Sequence, residues 1–431
     1  MRFLRIGERG FDLYLSQVEG RIAQGGFRLE KGVRSILEDV RKRGDKAILH
    51  YTRVFDGVEL QIDQLQLEPK AIRQAYPKVP KEFLDTLKKA AHRISRFHQL
   101  SGKKSLEEWV EKGIRIRQVI RPLERVGIYV PGGKASYPST VLMAAIPARV
   151  AGVKEIVMVT PPHEDGISPA ILVAADLAGV DRIFRMGGVQ AIAALAYGTA
   201  SVPRVDKIVG PGNRYVAAAK RLVYGIVDID MVAGPSEIVV VSDEKTSPSF
   251  VAADLISQAE HDEMALAILI TPSEKFGKRV REEIKIQLSH LKKKKIAQAS
   301  LNRRGAILVV ENLHQAVELV NRIAPEHLEL AVSKPLSLAK GVRHAGAVFL
   351  GPHTPEAIGD YLAGPNHILP TAGTARFSSP LGVEDFVKRT NLIGFTKKAL
   401  RPFEKDVKRF TEWEGLEGHY QAVRMRTQKL S

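Results

Sequence analysis

The 431-residue chain contains no cysteine, which excludes disulfides, all-thiolate zinc sites and any thiol nucleophile. If the chain oxidises an aldehyde, it cannot do so through a cysteine thiohemiacetal, and water would have to attack the carbonyl directly. Aromatic residues are scarce, at 6%, which leaves little surface on which bases could stack. No apolar run approaches the roughly 20 residues needed to cross a bilayer. Residues 1–21 alternate charge with short apolar groups and contain neither a continuous apolar h-region nor a small-residue cleavage site. These absences predict a soluble cytoplasmic protein without a membrane partner. No Gly-x-Gly-x-x-Gly follows a strand, so the usual dinucleotide fingerprint is also missing.

What is abundant is positive charge, a formal +17. Lys292 to Lys295 form a four-lysine run, with Lys278, Arg279 and Arg281 upstream. Nucleic-acid binding, which predicts steep salt dependence, is the alternative this raises. A recognisable module or aromatic face would normally accompany it, and the excess Lys and Arg are otherwise spread as on solvated faces. No nucleic-acid partner is expected, and an anionic cofactor or substrate is a sufficient use for the charge. The length predicts roughly two to four structural units.

Residues 31–120 carry apolar groups at three- and four-residue spacing, in Val33-Arg34-Ser35-Ile36-Leu37 and again over 82–98, which predicts amphipathic helices. Strict alternation over Ile114 to Ile120 predicts a strand. From Arg125, short β-branched runs alternate with Ala-rich helical segments, the signature of a parallel α/β sheet. Strands are expected at 155–160, 182–186, 207–209 and 238–241, with helices at 168–178, 189–197 and 214–224 between them. A second series follows, with strands at 265–270, 306–310 and 345–350 and a helix at 313–323. The fold class is α/β, with two incomplete Rossmann-like parallel-sheet domains in a duplicated architecture. Small helical extensions are expected at both termini, the last running over 420–430.

Three glycine-rich turns compensate for the missing fingerprint: Tyr129-Val130-Pro131-Gly132-Gly133, Met186-Gly187-Gly188-Val189-Gln190 and Gly210-Pro211-Gly212-Asn213. Each follows an expected strand and precedes a helix, where open α/β sheets bind ligands and helix N-termini attract phosphate. One such turn alone could be only a tight connection. Three in one unit favour a nucleotide.

Gln258, His261, Asp360, His367 and His419 stand in short polar clusters that interrupt apolar sequence. A spacing of three would put Gln258 and His261 on one helix face. Glu326 and His327 follow Pro325 and place a carboxylate beside an imidazole. Together these groups offer nitrogen and oxygen ligands for a zinc-like ion and two groups that move protons at neutral pH. Singly, each has a plain structural use: a solvated helix face, a turn or cap at Asp360, a surface histidine at His419. A zinc hydrolase with an open metal position would use the same residue types.

The runs Gly127-Ile128-Tyr129-Val130-Pro131-Gly132-Gly133, Ala233-Gly234-Pro235-Ser236-Glu237, Ser257 to Asp262, Ala324-Pro325-Glu326-His327-Leu328, Gly359-Asp360-Tyr361, Gly364-Pro365-Asn366-His367 and Gly415-Leu416-Glu417-Gly418-His419 closely resemble the histidinol dehydrogenase family. The resemblance spans residues 30 to 425. It implies one zinc ion per subunit, bound by Gln258, His261, Asp360 and His419, with His419 donated by the other subunit of a homodimer with a shared active site. It implies that Ser236, His327, Asp360, His367, Glu414 and His419 contact the amino alcohol, which joins Gln258 and His261 through the metal. Tyr129, Gln190 and Asn213 would line the NAD site. The implied reaction is oxidation of L-histidinol to L-histidine through bound histidinal with two NAD in succession, the last step of histidine biosynthesis. His327 would be the base and Glu326 would activate water, while zinc orients the substrate. A relative acting on a different polar alcohol stays open. The domains expected on this basis are 1–28 as an N-terminal extension, 29–126 with 236–380 as the metal-bearing α/β domain, 127–235 as the NAD-binding domain, and 381–431 as a helical tail completing the partner subunit's site.

Overall fold

The computed structural model describes residues 1–23, 27–101, 106–111, 113–132, 136–292 and 294–428. Gly133 of the first glycine turn, Lys293 of the lysine run and the last two residues of the expected 420–430 helix lie outside the described residues. The chain divides into a larger unit, Met1–Ser101 with Leu123–Phe386, and a smaller one, Gly102–Pro122 with Val387–Ser431. Strands are numbered β1 (Arg2–Arg5), β2 (Leu106–Glu111), β3 (Ile114–Pro122), β4 (Arg125–Tyr129), β5 (Glu155–Thr160), β6 (Arg182–Arg185), β7 (Lys207–Val209) and β8 (Asp228–Ile229). They continue as β9 (Glu237–Ser242), β10 (Leu266–Thr271), β11 (Ala306–Val309), β12 (His327–Ala331), β13 (Ala347–Leu350) and β14 (Val387–Phe395).

The larger unit holds two parallel sheets, ordered β6-β5-β4-β7-β8 and β1-β11-β10-β9-β12-β13. Counted from its own first strand, β4 or β9, each reads 3-2-1-4-5, and the second carries β1 as an added edge. The expected duplication is therefore present in the topology without a visible sequence repeat. The two central runs, Glu237-Ile-Val-Val-Val-Ser242 and Leu266-Ala-Ile-Leu-Ile-Thr271, are buried at every position. A parallel sheet covered on both faces by its crossover helices requires such unbroken apolar strands.

Two expected boundaries differ. Val33, Leu37 and Ile48 pack with Phe184, Ile192 and Leu195, and Leu87 and Ile94 with Leu142 and Met158. The helices of residues 29–100 thus cover the five-stranded sheet rather than joining the metal-bearing domain. An amphipathic stripe fixes which helix face is buried but not which sheet buries it. At the N-terminus, β1 pairs with β11 in register Arg2↔Ala306, and the helix Arg9–Glu19 inserts Phe11, Leu15 and Val18 into the second sheet's core. This segment is part of the sheet domain, not a helical appendage.

The smaller unit is a three-stranded antiparallel sheet, β14-β3-β2, followed by the helices Glu404–Glu414 and Glu417–Thr427. The tail expected to be wholly helical thus begins with β14, which pairs with β3 from Val387↔Pro122 to Phe395↔Ile114. Most of β14 is exposed, so it shows no clear apolar alternation, and its pairing partner lies more than 250 residues away.

Candidate functional site

A cavity of about 1370 Å³ opens where the first sheet reverses strand order, between β4 and β7. Ligands bind open α/β sheets at this point. Tyr129, Gln190 and Asn213 all line it. Tyr129 ends β4, and its hydroxyl accepts the Gly188 N–H at 3.1 Å. Burial pushes the phenol up to about 12, so it stays neutral and can still donate. Gln190 is fully buried, and neither polar atom of its amide has a partner. An unsatisfied buried amide in a cavity wall fits a polar ligand group. Asn213 caps the helix Arg214–Val223, accepting the Tyr215 and Val216 N–H groups at 3.0 and 3.1 Å.

The loop before that helix depends on glycine at Gly210. Gly210 has φ +113, and an added Cβ would lie 2.2 Å from the Tyr129 carbonyl oxygen. A buried pair holds this loop from beneath. Lys220 donates to the Gly210 carbonyl at 2.9 Å and to Asp230, which accepts the Gly210 N–H at 2.8 Å. Sequence reading missed this pair, because nothing in the spacing of Lys220 and Asp230 sets them apart from surface charges.

The other sequence-predicted residues of the larger unit gather at the amino ends of β9 and β12, the switch strands of the second sheet. The helix Leu313–Ile323 ends at Ala324, left-handed with φ 49, and the chain turns through Pro325 to Glu326 and His327. Both face Glu237. The Glu326 carboxyl accepts the Glu237 N–H at 2.8 Å, and His327 Nδ1 meets the Glu237 carbonyl at 3.0 Å. A carbonyl only accepts, so Nδ1 carries the proton and Nε2 the lone pair. Nε2 has no hydrogen-bond partner; the Glu356 carboxyl stands 3.7 Å away.

Burial lowers His327 to about 4, leaving a neutral imidazole at pH 7. Burial pushes Glu326 well above the carboxylate range, and the Glu237, Asp360 and Glu356 charges add to this. Glu356 is pushed up to about 9, by burial first and then by Asp360. Behind it, Glu329 accepts the Glu356 N–H at 2.6 Å and shares a raised, buried environment with Asp254. Glu356 is a second residue that sequence reading missed, although a signal existed: it lies four before Asp360 on one face of the helix Glu356–Tyr361. Ligand atoms of His327, Glu356 and Asp360 lie within 4.8 Å of one another.

Asp360 sits inside that short helix and is neither a turn nor a cap residue. The preceding Gly359 permits close approach, since a Cβ there would meet the Phe349 ring at 2.6 Å. His367 Nδ1 reaches the Asp360 carbonyl at 2.9 Å, and burial lowers its pKa. Gln258 is buried with its Oε1 unpartnered. His261 lies past the end of the helix Pro248–Ala259 and is exposed. Its spacing from Gln258 is therefore kept by a terminal turn, in which the His261 N–H reaches the Gln258 carbonyl at 3.3 Å, and not by a continuous helix face. Ser236 precedes β9, and its carbonyl accepts the Leu266 N–H at 3.0 Å. Glu414 and His419 belong to the smaller unit, on either side of Gly415 (φ 69), and both are exposed.

The donor set suits a borderline cation such as zinc: carboxylate, imidazole and amide, with the orphaned Gln258 oxygen as the specific fit.

A dinucleotide-sized cavity that shares the wall residue Glu237 with a buried imidazole and carboxyl defines the class, an α/β oxidoreductase transferring hydride to a dinucleotide. The family described as histidinol dehydrogenase matches residues 21–427, and the chain belongs to the histidinol dehydrogenase family. It is 53% identical over 429 residues to histidinol dehydrogenase of Syntrophotalea carbinolica, covering 99% of both chains. To that of Geobacter sulfurreducens it is 53% identical over 430 residues, covering 99% of this chain and 100% of the relative. The crystal structure of histidinol dehydrogenase from Elizabethkingia anophelis superposes with a TM-score of 0.92 at 36% identity, covering 99% of this chain and 98% of that one. Membership makes the chain an NAD-dependent oxidoreductase of histidine biosynthesis. Among the described residues no helix is long and apolar enough to cross a membrane.

Proposed function

We propose that the chain oxidises L-histidinol to L-histidine through enclosed L-histidinal, passing two hydrides in succession to two NAD molecules. The observation that carries this reading is the His327–Glu237–Glu326 arrangement, in which the main-chain N–H and carbonyl of one residue orient a carboxyl and a neutral imidazole side by side. In the first step the lone pair on His327 Nε2 takes the hydroxyl proton as hydride leaves the carbinol carbon. The resulting aldehyde has no hydride to give until water adds. Glu326, as carboxylate, takes a proton from that water as its oxygen bonds to the carbonyl carbon, and the resulting gem-diolate loses the second hydride to NAD to become the carboxylic acid. With no cysteine in the chain, direct hydration is the route open to it.

Gln258, His261, Asp360 and His419 would hold a zinc ion, which supplies orientation of the substrate's imidazole and amine. Tyr129, Gln190 and Asn213 bind NAD in the cavity, while Ser236, His367 and Glu414 contact the amino alcohol. The test is absorbance of NADH with excess NAD and a limiting, known amount of L-histidinol. Two NADH per histidinol are expected; one would mean an alcohol dehydrogenase that releases the aldehyde.

His419 and Glu414 are supplied by the partner subunit of a homodimer. The exposure of His419, together with exposed Phe410, Trp413 and Met425 on the same two helices, supports this reading. Dimers mixed from His419→Ala and His261→Ala chains should then regain activity that neither variant shows, reaching about a quarter of wild-type sites on random mixing. No recovery in verified mixed dimers would put both ligands in one chain.

A further inference from the structure

Glu237 serves the reacting pair through its main chain, yet its side chain is also charged and buried, at 2% exposure. The carboxylate is gripped by Arg21 through two parallel N–H···O bonds of 2.5 and 2.8 Å. The other guanidinium bonds go to the Val18 carbonyl at 2.6 Å and the Ile323 carbonyl at 2.9 Å. Ile323 is the last residue of the helix from which Ala324, Pro325, Glu326 and His327 emerge. One guanidinium therefore ties the start of β9, which orients both reacting groups, to the helix end that delivers them. Gly373, with φ +82, closes over it, and an added Cβ would stand 3.5 Å from Nη1. Buried ion pairs add little net stability over an apolar pair of similar volume, so stability alone does not account for this one.

We propose that Arg21 is a positioning residue for the oxidation, acting through Glu237 to hold Glu326 and His327 in register. The proposal rests on the reading of those two as the reacting pair. Glu237 and Arg21 are far apart in the chain, and only the planar fork of arginine can hold a carboxylate with two bonds while keeping others for the carbonyls of residues 18 and 323. Lysine keeps the charge but not the fork.

The experiment compares Arg21→Lys and the charge-neutral Arg21→Gln/Glu237→Gln with wild type, with Glu326→Gln and His327→Gln run alongside. Thermal melts confirm the folded fraction of each. A displacement of the pair by a fraction of an ångström should lower kcat of Arg21→Lys about 10- to 100-fold, with KM for histidinol and for NAD unchanged within about twofold. The neutral double variant should recover part of the turnover lost in Arg21→Gln, because it no longer leaves a carboxylate unpaired beside Glu326. If Arg21→Gln does not fold, the Lys variant and the double variant carry the comparison. Wild-type kcat in folded Arg21→Lys, or a loss accounted for by its unfolded fraction, overturns the positioning role while the pair stands. Unchanged turnover in Glu326→Gln and His327→Gln removes the pair, and the positioning role with it.

Discussion

His327→Gln should lower kcat on histidinol by about 10²–10⁴-fold, the usual contribution of a positioned general base. The imidazole is buried, its Nδ1–H is committed to the Glu237 carbonyl, and its Nε2 has no partner. That is the state of a base awaiting a proton. Glutamine approximates the volume and can still donate to the Glu237 carbonyl, but its remaining polar atom has no basic lone pair at neutral pH. The loss should therefore fall on kcat, with KM moving little, and steady-state rates with saturating NAD measure it. Unchanged turnover would remove His327 from the mechanism.

The sign of the pH effects follows from burial. With its pKa lowered from 6.5 to about 4, His327 is neutral throughout the physiological range and contributes no acid limb there. Its contribution to stability is complete above pH 6.5 and is lost as pH falls towards about 4, because the unfolded chain binds the proton first.

The parallel sheets could be read from sequence because β-branched runs buried on both faces look alike wherever they occur. The strand at 207–209 and the helix at 313–323 have the expected limits. Short polar clusters such as Ala324 to His327 stood out against that background for the same reason. What stayed hidden depends on partners distant in sequence. β1 and β14 are edge strands whose pairing lies about 300 and about 270 residues away, and neither carries a strong periodic signal. The assignment of residues 29–100 to the wrong sheet has the same origin, since a helix declares its apolar face without naming what covers it.

The site divides along the same line. Glu326 and His327 are adjacent, and their chemistry can be stated from residue type alone. Their orientation comes from the main chain of a residue about 90 positions away and a guanidinium more than 200 residues from that, which no local pattern encodes. Lys220 and Asp230 under the Gly210 loop are a milder case, ten residues apart but joined only by the return of β8 to the sheet. Residues that react are few and chemically distinctive; residues that position them are ordinary types in uncommon surroundings.

Glu326→Gln is expected to divide the two oxidations. Supplied with histidinal and NAD, the variant should lose about 10²–10⁴-fold in rate, and more than it loses on the alcohol-to-aldehyde step. Glutamine preserves the shape and can still accept the Glu237 N–H, so the main-chain geometry should survive and only the basic oxygen disappears. In wild type that oxygen is basic only when ionised, and burial together with the Glu237, Asp360 and Glu356 carboxylates pushes its pKa well up. Aldehyde oxidation should therefore rise with pH as Glu326 ionises, and this acid limb should vanish in the Gln variant. The positive charge of a bound nicotinamide favours the carboxylate, so the limb should lie at lower pH in kcat, which reports the ternary complex, than in kcat/KM, which reports the free enzyme. Rapid-mixing rates on the aldehyde across pH give both quantities. Equal losses on alcohol and aldehyde would mean that Glu326 and His327 act as one unit in both steps, and the assignment of water activation to Glu326 would fall.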